Sequence, residues 1–356
     1  MISTPEQERA VYTRYAQAAR RLENELCCAV AYDANYLAAI PDEILQRDYG
    51  CGDPTPYVRP GDTVLDLGSG GGKVCYIAAQ IVGPSGHVIG VDCNDEMLSL
   101  ARSHQAEVAR RLGFDVVEFR RGLIQDLRLD LDYLADELAR RPVDSPARWL
   151  ELRSLEDALR RERPLVPDET VDCVLSNCVL NLVRPDDRVQ LIAEVFRVLR
   201  PGGRAAICDI VADEDVPERL QGDGDLWSGC ISGAFREDRF VAAFEQAGFH
   251  GVTIAKRQRE PWRTVEGIEF RSLTVLAYKS QSRPELEGQQ AVIYRGPFKR
   301  VEDDLGNVHV RGLRTAVSEQ TCRLLTGEPY AGAFDAVGLQ TFVPLETTRP
   351  CCGGPS

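Results

Sequence analysis

The sequence predicts a doubly wound α/β fold, in which a largely parallel sheet carries helices on both faces. From Arg59 onwards, short apolar segments alternate with amphipathic helical segments, which is the pattern of such sheets. A glycine-rich turn directly follows the first apolar segment, as in sheets that bind nucleosides at their carboxyl edge. The chain has 356 residues, more than one hydrophobic core usually serves, so we also expect a smaller companion domain.

The individual elements follow from the spacing of apolar residues. Short apolar runs bounded by turn residues predict strands, and apolar residues every three or four positions predict helices. Five strands are predicted in the segments DTVLDL, GHVIGVD, DVVEFRRG, ETVDCVLSN and RAAICDIV. Helices are predicted between them in KVCYIAAQIV, DEMLSLARSHQAEVARRLG and PDDRVQLIAEVFRVLRPGG, the last of which we expect to be closed by its glycines.

Two regions flank the sheet domain, which is expected at residues 59–280. Charged and apolar positions at helical spacing over residues 4–26, and again near AIPDEILQRDYG, predict a helical cap at 1–58. After a polar linker, alternating apolar stretches predict a small, mainly β subdomain at 285–346. A loose tail that contains cysteines is expected at 347–356.

One segment interrupts the alternation of strands and helices. Residues 127–167, with approximate bounds, contain two charged helical stretches separated by prolines. Ser145 is expected to cap the second helix and Pro146 to occupy its first turn. We interpret the segment as a helical hairpin inserted before the fourth strand, lying at the surface.

Charge and composition restrict the possible partners. A formal net charge of −13 disfavours nucleic acid, because phosphate binding requires a basic face. No apolar run is long enough to span a membrane, and the N-terminus is charged rather than typical of a signal peptide. We therefore expect a cytoplasmic protein without a membrane partner. Its 12 cysteines are then expected to be mostly reduced.

The glycine-rich turn indicates a nucleoside cofactor. Asp66, Gly68, Gly70 and Gly72 alternate after the first strand, where glycine lets the backbone approach a ligand at a helix N-terminus. Asp92 ends the second strand about 20 residues later, where a carboxylate can accept hydrogen bonds from both ribose hydroxyls. The acidic residue before Gly-x-Gly-x-Gly, together with a later RPGG, resembles class I methyltransferases more than dehydrogenases. That resemblance implies S-adenosylmethionine as the methyl donor.

Three cysteines occupy polar segments where loops leave the predicted sheet: Cys51 in YGCGDP, Cys178 in SNCVLNL and Cys230 in WSGCISGAF. Loops at the carboxyl edge of a parallel sheet converge on one crevice, so these thiols can meet there. The four histidines lie outside these motifs, which leaves no evident general base. Three thiolates would form a soft-ligand site. Trivalent arsenic suits it, because arsenic binds three sulfurs and keeps a lone pair that can attack the methyl group.

The segments RDYGCG, VLDLGSGGGKVCY, SNCVLNLV, LWSGCISGAF and AVIYRG resemble the arsenite methyltransferase family, in the same order and over nearly the whole chain. The resemblance implies that Cys178 and Cys230 bind As(III), and that Cys51 is a third ligand or forms a disulfide with Cys178 during turnover. Cys27 or Cys28 would correspond to the family's N-terminal thiol. The cofactor-binding residues implied by the turn, the third strand end and the resemblance are Tyr49, Gly50, Asp66, Gly68, Gly70, Gly72, Asp92, Met97, Ile124, Gln125 and Asn177.

The resemblance also implies partners. A thiol reductant such as thioredoxin or glutathione resets the enzyme in that family, and arsenic is expected to arrive as a thiol conjugate; we expect a monomer. The chain departs from the family pattern in two places. The inserted hairpin lies near the expected substrate entrance, and Gln125 stands where an acidic residue is commoner, which is expected to weaken contacts with the adenine.

Two other functions stay open. One is methylation of another small acceptor, such as a selenium, tellurium or organic compound. The other is a thiolate protein that binds arsenite without transferring anything, although such a protein would not need the methyl-donor turn. Cysteines inside helix or strand patterns are expected to be packed as small hydrophobes, whereas the last pair is expected in the tail. The cysteines expected to be packed are Cys75, Cys93, Cys173, Cys208 and Cys322, and those expected in the tail are Cys351 and Cys352.

Overall fold

The computed structural model describes residues 4–23, 30–280 and 289–337. The chain divides into two compact units, residues 1–280 and 281–356. Among the described residues, none of the helices has the length and apolar character that a membrane span requires. Cys27, Cys28, Cys351 and Cys352 lie outside the described residues.

The first unit is built on a nine-stranded sheet. Its strands along the central path run in the order β3-β2-β1-β4-β5-β9-β7, with β6 paired to β5 and β8 to β9. Strands β1 to β5 pair in parallel, whereas β9 is antiparallel to both β5 and β7. The strands are β1 Thr63–Leu67, β2 His87–Asp92, β3 Val117–Arg121, β4 Val171–Asn177, β5 Leu199–Ala212, β6 Phe235–Arg236, β7 His250–Arg257, β8 Arg263–Val265 and β9 Ile268–Tyr278.

Helices cover both faces of this sheet. Successive strand residues belong to opposite faces, with Leu65 and Val174 in one buried apolar cluster and Val64 and Cys173 in the other. This confirms the predicted doubly wound α/β class. The helices of the unit are α1 Thr4–Arg20, α2 Ala34–Leu37, α3 Asp42–Gln46, α4 Lys73–Val82, α5 Asp95–Leu112, α6 Leu131–Arg140, α7 Pro146–Glu162, α8 Arg188–Val198, α9 Glu218–Gln221, α10 Gly224–Ser228 and α11 Glu237–Gln246.

Two boundaries differ from the sequence expectation. Helix α1 ends at Arg20, ahead of the expected residue 26. Helix α8 ends at Val198, and the RPGG segment belongs to β5 rather than closing the helix. Arg200 precedes Pro201, whose ring disfavours the helical conformation in the residue before it, so the chain becomes extended there.

The inserted segment is a helical hairpin made of α6 and α7. Ser145 caps α7, because its hydroxyl accepts a hydrogen bond from the Arg148 amide at 3.2 Å. The buried Arg148 guanidinium binds Glu137 of α6 at 2.9 Å, which ties the two helices together. Trp149 and Leu150 remain exposed on the outer face.

The second unit has its own small core. Strands β10, β13 and β14 form an antiparallel sheet in the order β13-β10-β14, and β11 and β12 form a separate pair. Helix α12, Glu319–Thr326, contributes Cys322 and Leu325 to an apolar cluster with Val292 and Phe334. The strands are β10 Gln289–Tyr294, β11 Arg300–Glu302, β12 Val308–Val310, β13 Arg314–Ser318 and β14 Phe334–Val337.

Candidate active site

A cavity opens at the carboxyl ends of β1, β2 and β4, where the strand order reverses direction. Helix α1 lines its other side with side chains that sequence analysis did not identify, including Tyr12 and Tyr15. The wall contains nearly all of the predicted cofactor residues, namely Tyr49, Gly50, Asp66, Gly68, Gly70, Asp92, Met97, Ile124, Gln125 and Asn177, together with Cys178.

Two glycines of the predicted turn differ in their position relative to the cavity. Gly68 has a φ of 67°, and a Cβ there would lie 2.5 Å from Cγ1 of Val179, so both conformation and space require glycine. Gly72, in contrast, is absent from the cavity wall. Gly72 has a φ of 88°, and a Cβ there would lie 2.8 Å from Cζ of Phe119, so glycine also allows close packing of α4; its contact with the cofactor stays a prediction.

Asp92 is fixed at the cavity edge by the backbone. Its Oδ2 accepts a hydrogen bond from the Gly70 amide at 2.8 Å, and its Oδ1 accepts one from the Asn94 amide at 2.8 Å. Burial raises the pKa of this carboxyl, while the amide bonds lower it. Each carboxylate oxygen retains a second lone pair, which can accept a ribose hydroxyl.

Asp66 is a second buried carboxyl in the cavity, and it has a thiol as partner. Cys75 Sγ donates a hydrogen bond to Asp66 Oδ2 at 3.2 Å. Burial raises the pKa of Asp66 to about 7, against a lowering effect of the Cys75 bond. Cys75 is fully buried, as expected of a packed residue, but it also adjusts the charge of the cavity.

The polar and apolar side chains of the cavity wall fit S-adenosylmethionine. Two carboxyls can face a cationic group and the ribose, and Met97 and Ile124 supply an apolar wall. Ser69 Oγ is buried and has no hydrogen-bond partner among the described residues, so it is available to a polar group of a ligand. Gln125 lines the same region, and its carbonyl accepts a bond from Gln190 Nε2 at 2.8 Å.

The three predicted thiols lie together next to this cavity. Cys51, Cys178 and Cys230 are all buried in one cluster, which also contains Cys208. The sulfurs of Cys51 and Cys178 and a carboxylate oxygen of Asp209 all lie within 4.8 Å of one another. Cys230 Sγ donates a hydrogen bond to the Cys178 carbonyl at 3.4 Å. Cys178 forms part of the cavity wall, so the thiol cluster adjoins the predicted donor site.

The environment raises the pKa of the Cys178 and Cys230 thiols. The hydrogen bond with Cys230 lowers the pKa of Cys178, but the bond with Cys51, burial and the Asp209 charge together hold it well above its usual value. The hydrogen bond with Cys178 raises the pKa of Cys230, and burial raises it further. Burial raises the pKa of the Asp209 carboxyl to about 7.

Backbone strain marks two of the thiols. Cys178 has a φ of 65° and Cys230 a φ of 61°, a region that residues with a Cβ rarely adopt. Such strain concentrates at functional sites, where surrounding contacts hold the residue in place.

Two further features were not identified from the sequence. Asp209 is fully buried in β5 beside the thiols. The sequence feature that could have pointed to it is a lone carboxyl within an apolar strand. Cys93 was expected to be packed, but it is exposed and lines the cavity, because it follows the last residue of β2. Cys173 and Cys208 are buried, as expected.

Fold and cavity define a class I methyltransferase that uses S-adenosylmethionine. A family model described as "Methyltransferase domain" matches residues 59–144 and 153–248, and one described as a domain of unknown function matches residues 281–356. An arsenic(III) S-adenosylmethionine methyltransferase from Chlamydomonas reinhardtii has a similar structure, with a TM-score of 0.59 and 25% identity, covering 88% of this chain and 98% of that one.

Relatives narrow the class to one family. The arsenite methyltransferase of Aquipseudomonas alcaligenes is 32% identical over 80% of this chain and 75% of its own length. The human arsenite methyltransferase is 27% identical over 98% of this chain and 86% of its own length. That of Halobacterium salinarum is 38% identical over 64% of this chain, but the match spans only 48% of that longer relative. The chain belongs to the arsenite methyltransferase family.

Proposed function

We propose that this chain transfers a methyl group from S-adenosylmethionine to trivalent arsenic held by Cys51, Cys178 and Cys230. The observation that carries the proposal is the buried thiol cluster that adjoins the cofactor cavity through Cys178. The names of the relatives support arsenite as the acceptor. Arsenite and methylarsenite are both candidate substrates, because methylation leaves fewer positions that need a thiol ligand.

Neutral thiols are suited to binding arsenite. Each thiol that binds As(OH)3 displaces one hydroxyl group, which leaves with the thiol proton as water, so no net proton release is required. The raised pKa values of Cys178 and Cys230 are compatible with this exchange. A separate general base is therefore unnecessary, which agrees with the lack of a histidine in the described cavity wall.

The cavity residues would hold the methyl donor. Asp92 would accept the ribose hydroxyls, Asp66 would face a cationic group, and Gly68 and Gly70 would let the backbone approach closely. S-adenosylmethionine supplies an electrophilic methyl group on its sulfonium, which the lone pair of thiolate-bound As(III) can attack.

A thiol pair would then return arsenic to the trivalent state. Gain of a methyl group makes arsenic formally pentavalent, and two thiolates can supply the two electrons that reduce it by forming a disulfide. Cys51 and Cys178 are suited to this step, since their sulfurs lie within 4.8 Å. Reduced thioredoxin or glutathione would supply two electrons and two protons to restore the thiols. Because this cycle needs a reducing compartment, we also propose that the protein is cytoplasmic, which cell fractionation would test. We further propose that it is a monomer, which sedimentation would test.

Product analysis tests the function. Purified chain is incubated with arsenite, S-adenosylmethionine and the thioredoxin system, and arsenic species are separated by chromatography with mass detection. The expected result is methylated arsenic, with one S-adenosylhomocysteine formed for each methyl group transferred. Selenite and tellurite serve as alternative acceptors. Arsenite binding without methylated product would overturn the proposal in favour of a scavenger, and turnover of another acceptor alone would also overturn it.

A further inference from the structure

Cys178 stands between two asparagines, and each asparagine binds the chain segment that carries one of the other thiols. Asn177 ends β4, and Asn181 lies in the 3-10 turn Leu180–Leu182. We propose that Asn177 positions Cys51 and Asn181 positions Cys230, so that one short motif sets the spacing of all three sulfurs. This inference rests on the proposed function for its purpose, but its contacts can be tested without methyl transfer.

The Asn177 amide binds the Cys51 segment through both of its polar atoms. Its Oδ1 accepts hydrogen bonds from the Cys51 amide at 2.9 Å and the Gly52 amide at 3.1 Å. Its Nδ2 donates to the Gly52 carbonyl at 2.7 Å and to the Tyr32 hydroxyl at 2.9 Å. The side chain borders the cofactor cavity, but these four bonds use its donors and its two acceptor lone pairs. Its polar atoms are therefore taken up by the Cys51 segment and Tyr32.

Close packing explains why glycine precedes Cys51. A Cβ at Gly50 would overlap the Asn177 amide nitrogen and lie 2.7 Å from Asn177 Cγ. Glycine at this position lets the backbone of the Cys51 segment lie directly against the amide group. The hydrogen bonds and the contact surface therefore fix the segment together.

The Asn181 amide is fully buried and connects three chain segments. Its Nδ2 donates to Asp209 Oδ1 at 2.7 Å and to the Ile210 carbonyl at 2.6 Å, both on β5. The same nitrogen lies 3.5 Å from the Cys230 carbonyl, at the limit of a hydrogen bond. The Asn181 backbone amide also donates to Asp209 Oδ2 at 3.3 Å.

The backbones of the two segments also meet close to Cys230. A Cβ at Gly233 would overlap the Asn181 carbonyl oxygen, so glycine allows the two backbones to meet. Arg188 Nη2 donates to that same carbonyl at 3.2 Å. Loss of the Asn181 side chain would remove its bonds to β5 and to the Cys230 carbonyl and so loosen the Cys230 segment, while the Cys51 segment keeps its bonds to Asn177.

Separate functions of the two asparagines can be measured in two cysteine backgrounds. In Cys51→Ser protein, phenylarsine oxide binds the remaining pair, Cys178 and Cys230, and loses its oxygen as water. In Cys230→Ser protein, diamide oxidises Cys51 and Cys178 to a disulfide and is itself reduced to the hydrazine. Peptide mapping by mass spectrometry identifies the cysteines in both products.

Opposite patterns are expected for the two alanine variants. Asn181→Ala should weaken phenylarsine oxide binding at least tenfold and leave the rate of disulfide formation within twofold. Asn177→Ala should slow disulfide formation at least tenfold and leave phenylarsine oxide affinity within twofold. Asn177→Asp keeps an acceptor for the Cys51 and Gly52 amides and should partly restore the rate. Asn35→Ala, at an exposed site, should change neither measurement.

Equal changes in both measurements for either variant, or no change in either, would overturn the proposal. Thermal unfolding of each variant separates loss of position from loss of fold. Asn181→Ser replaces Asn181→Ala if the latter does not fold, since serine keeps a polar group near Asp209. Neither probe requires methyl transfer, so a failure here is distinguishable from a failure of the proposed function.

Discussion

Cys230 Sγ lies 3.4 Å from the carbonyl oxygen of Cys178, and both residues have a positive φ, of 61° and 65°. A residue with a Cβ in a sparsely populated backbone region costs of order 1–3 kcal/mol. Glycine would adopt this conformation more easily, yet the chain has cysteine at both positions. The proposed arsenic site accounts for this strain, because it requires a thiol at each of these positions.

Loss of either strained thiol should abolish methylation of arsenite. Cys178→Ser and Cys230→Ser keep the side-chain shape but replace a soft sulfur ligand with oxygen, which binds arsenic(III) poorly in competition with water. Methylarsenic production is measured by chromatography with mass detection, and donor affinity by calorimetry should stay near the wild-type value.

Cys173→Ser is the matched control for these variants. Cys173 is fully buried in β4, the strand that ends just before Cys178, and its sulfur lies 3.8 Å from the Tyr57 carbonyl, which a serine hydroxyl could also approach. This variant should retain methylation. Normal turnover by Cys178→Ser would contradict the assignment of the arsenic site.

Loss of the Asp92 carboxyl should weaken binding of the methyl donor. Asp92→Ala removes the expected ribose acceptor and the partner of the Gly70 and Asn94 amides. One hydrogen bond to a charged group contributes about 1.5–3 kcal/mol, so loss of a single such bond should already lower donor affinity about ten- to a hundredfold. Calorimetry of donor and of arsenite binding is performed on the same variant. Arsenite affinity should be unchanged, and an unchanged donor affinity would remove Asp92 from the ribose site.

Local patterns predicted the strand ends, the glycine turn and the three thiols, because periodicity and turn chemistry involve neighbouring residues. The role of Asn181 could not be predicted in this way, since its partner Asp209 lies 28 positions away on another strand. Gly72 looked equivalent to Gly68 in sequence, but a Cβ at Gly72 would meet Phe119 of β3, whereas one at Gly68 would meet Val179. Such long-range contacts depend on how the strands and helices pack.

Acidification should weaken binding of the methyl donor. Burial raises the pKa of Asp66 to about 7, so the free protein loses this negative charge as the pH falls through that value. A cationic donor binds the ionised form better, so its affinity should fall by up to about tenfold for each pH unit below the pKa. Titration calorimetry from pH 8.5 to pH 6 measures the effect.

Variants of Asp66 and Cys75 identify the titrating group. Asp66→Asn should give a weaker affinity with a flatter pH profile. The Cys75 thiol lowers the pKa of Asp66 by its hydrogen bond, so Cys75→Ala should shift the loss of affinity to higher pH. Cys75→Ser keeps a donor and should shift the profile less. Identical profiles for wild type and Asp66→Asn would exclude Asp66 as the source.

A methyl group at Gly50 should disrupt the Cys51 segment through contact with Asn177. Gly50 does not have a positive φ, so alanine is allowed by the backbone, and the added Cβ overlaps the Asn177 amide. Overpacking of this kind typically costs about 1–3 kcal/mol, and displacement of the segment should also lower the methylation rate. Urea unfolding and product formation measure the two effects. Gly222→Ala is the control, because its Cβ would lie 3.8 Å from the Glu218 carbonyl, an ordinary contact. Equal stability and activity of Gly50→Ala and Gly222→Ala would show that the Asn177 contact does not fix the position of Cys51.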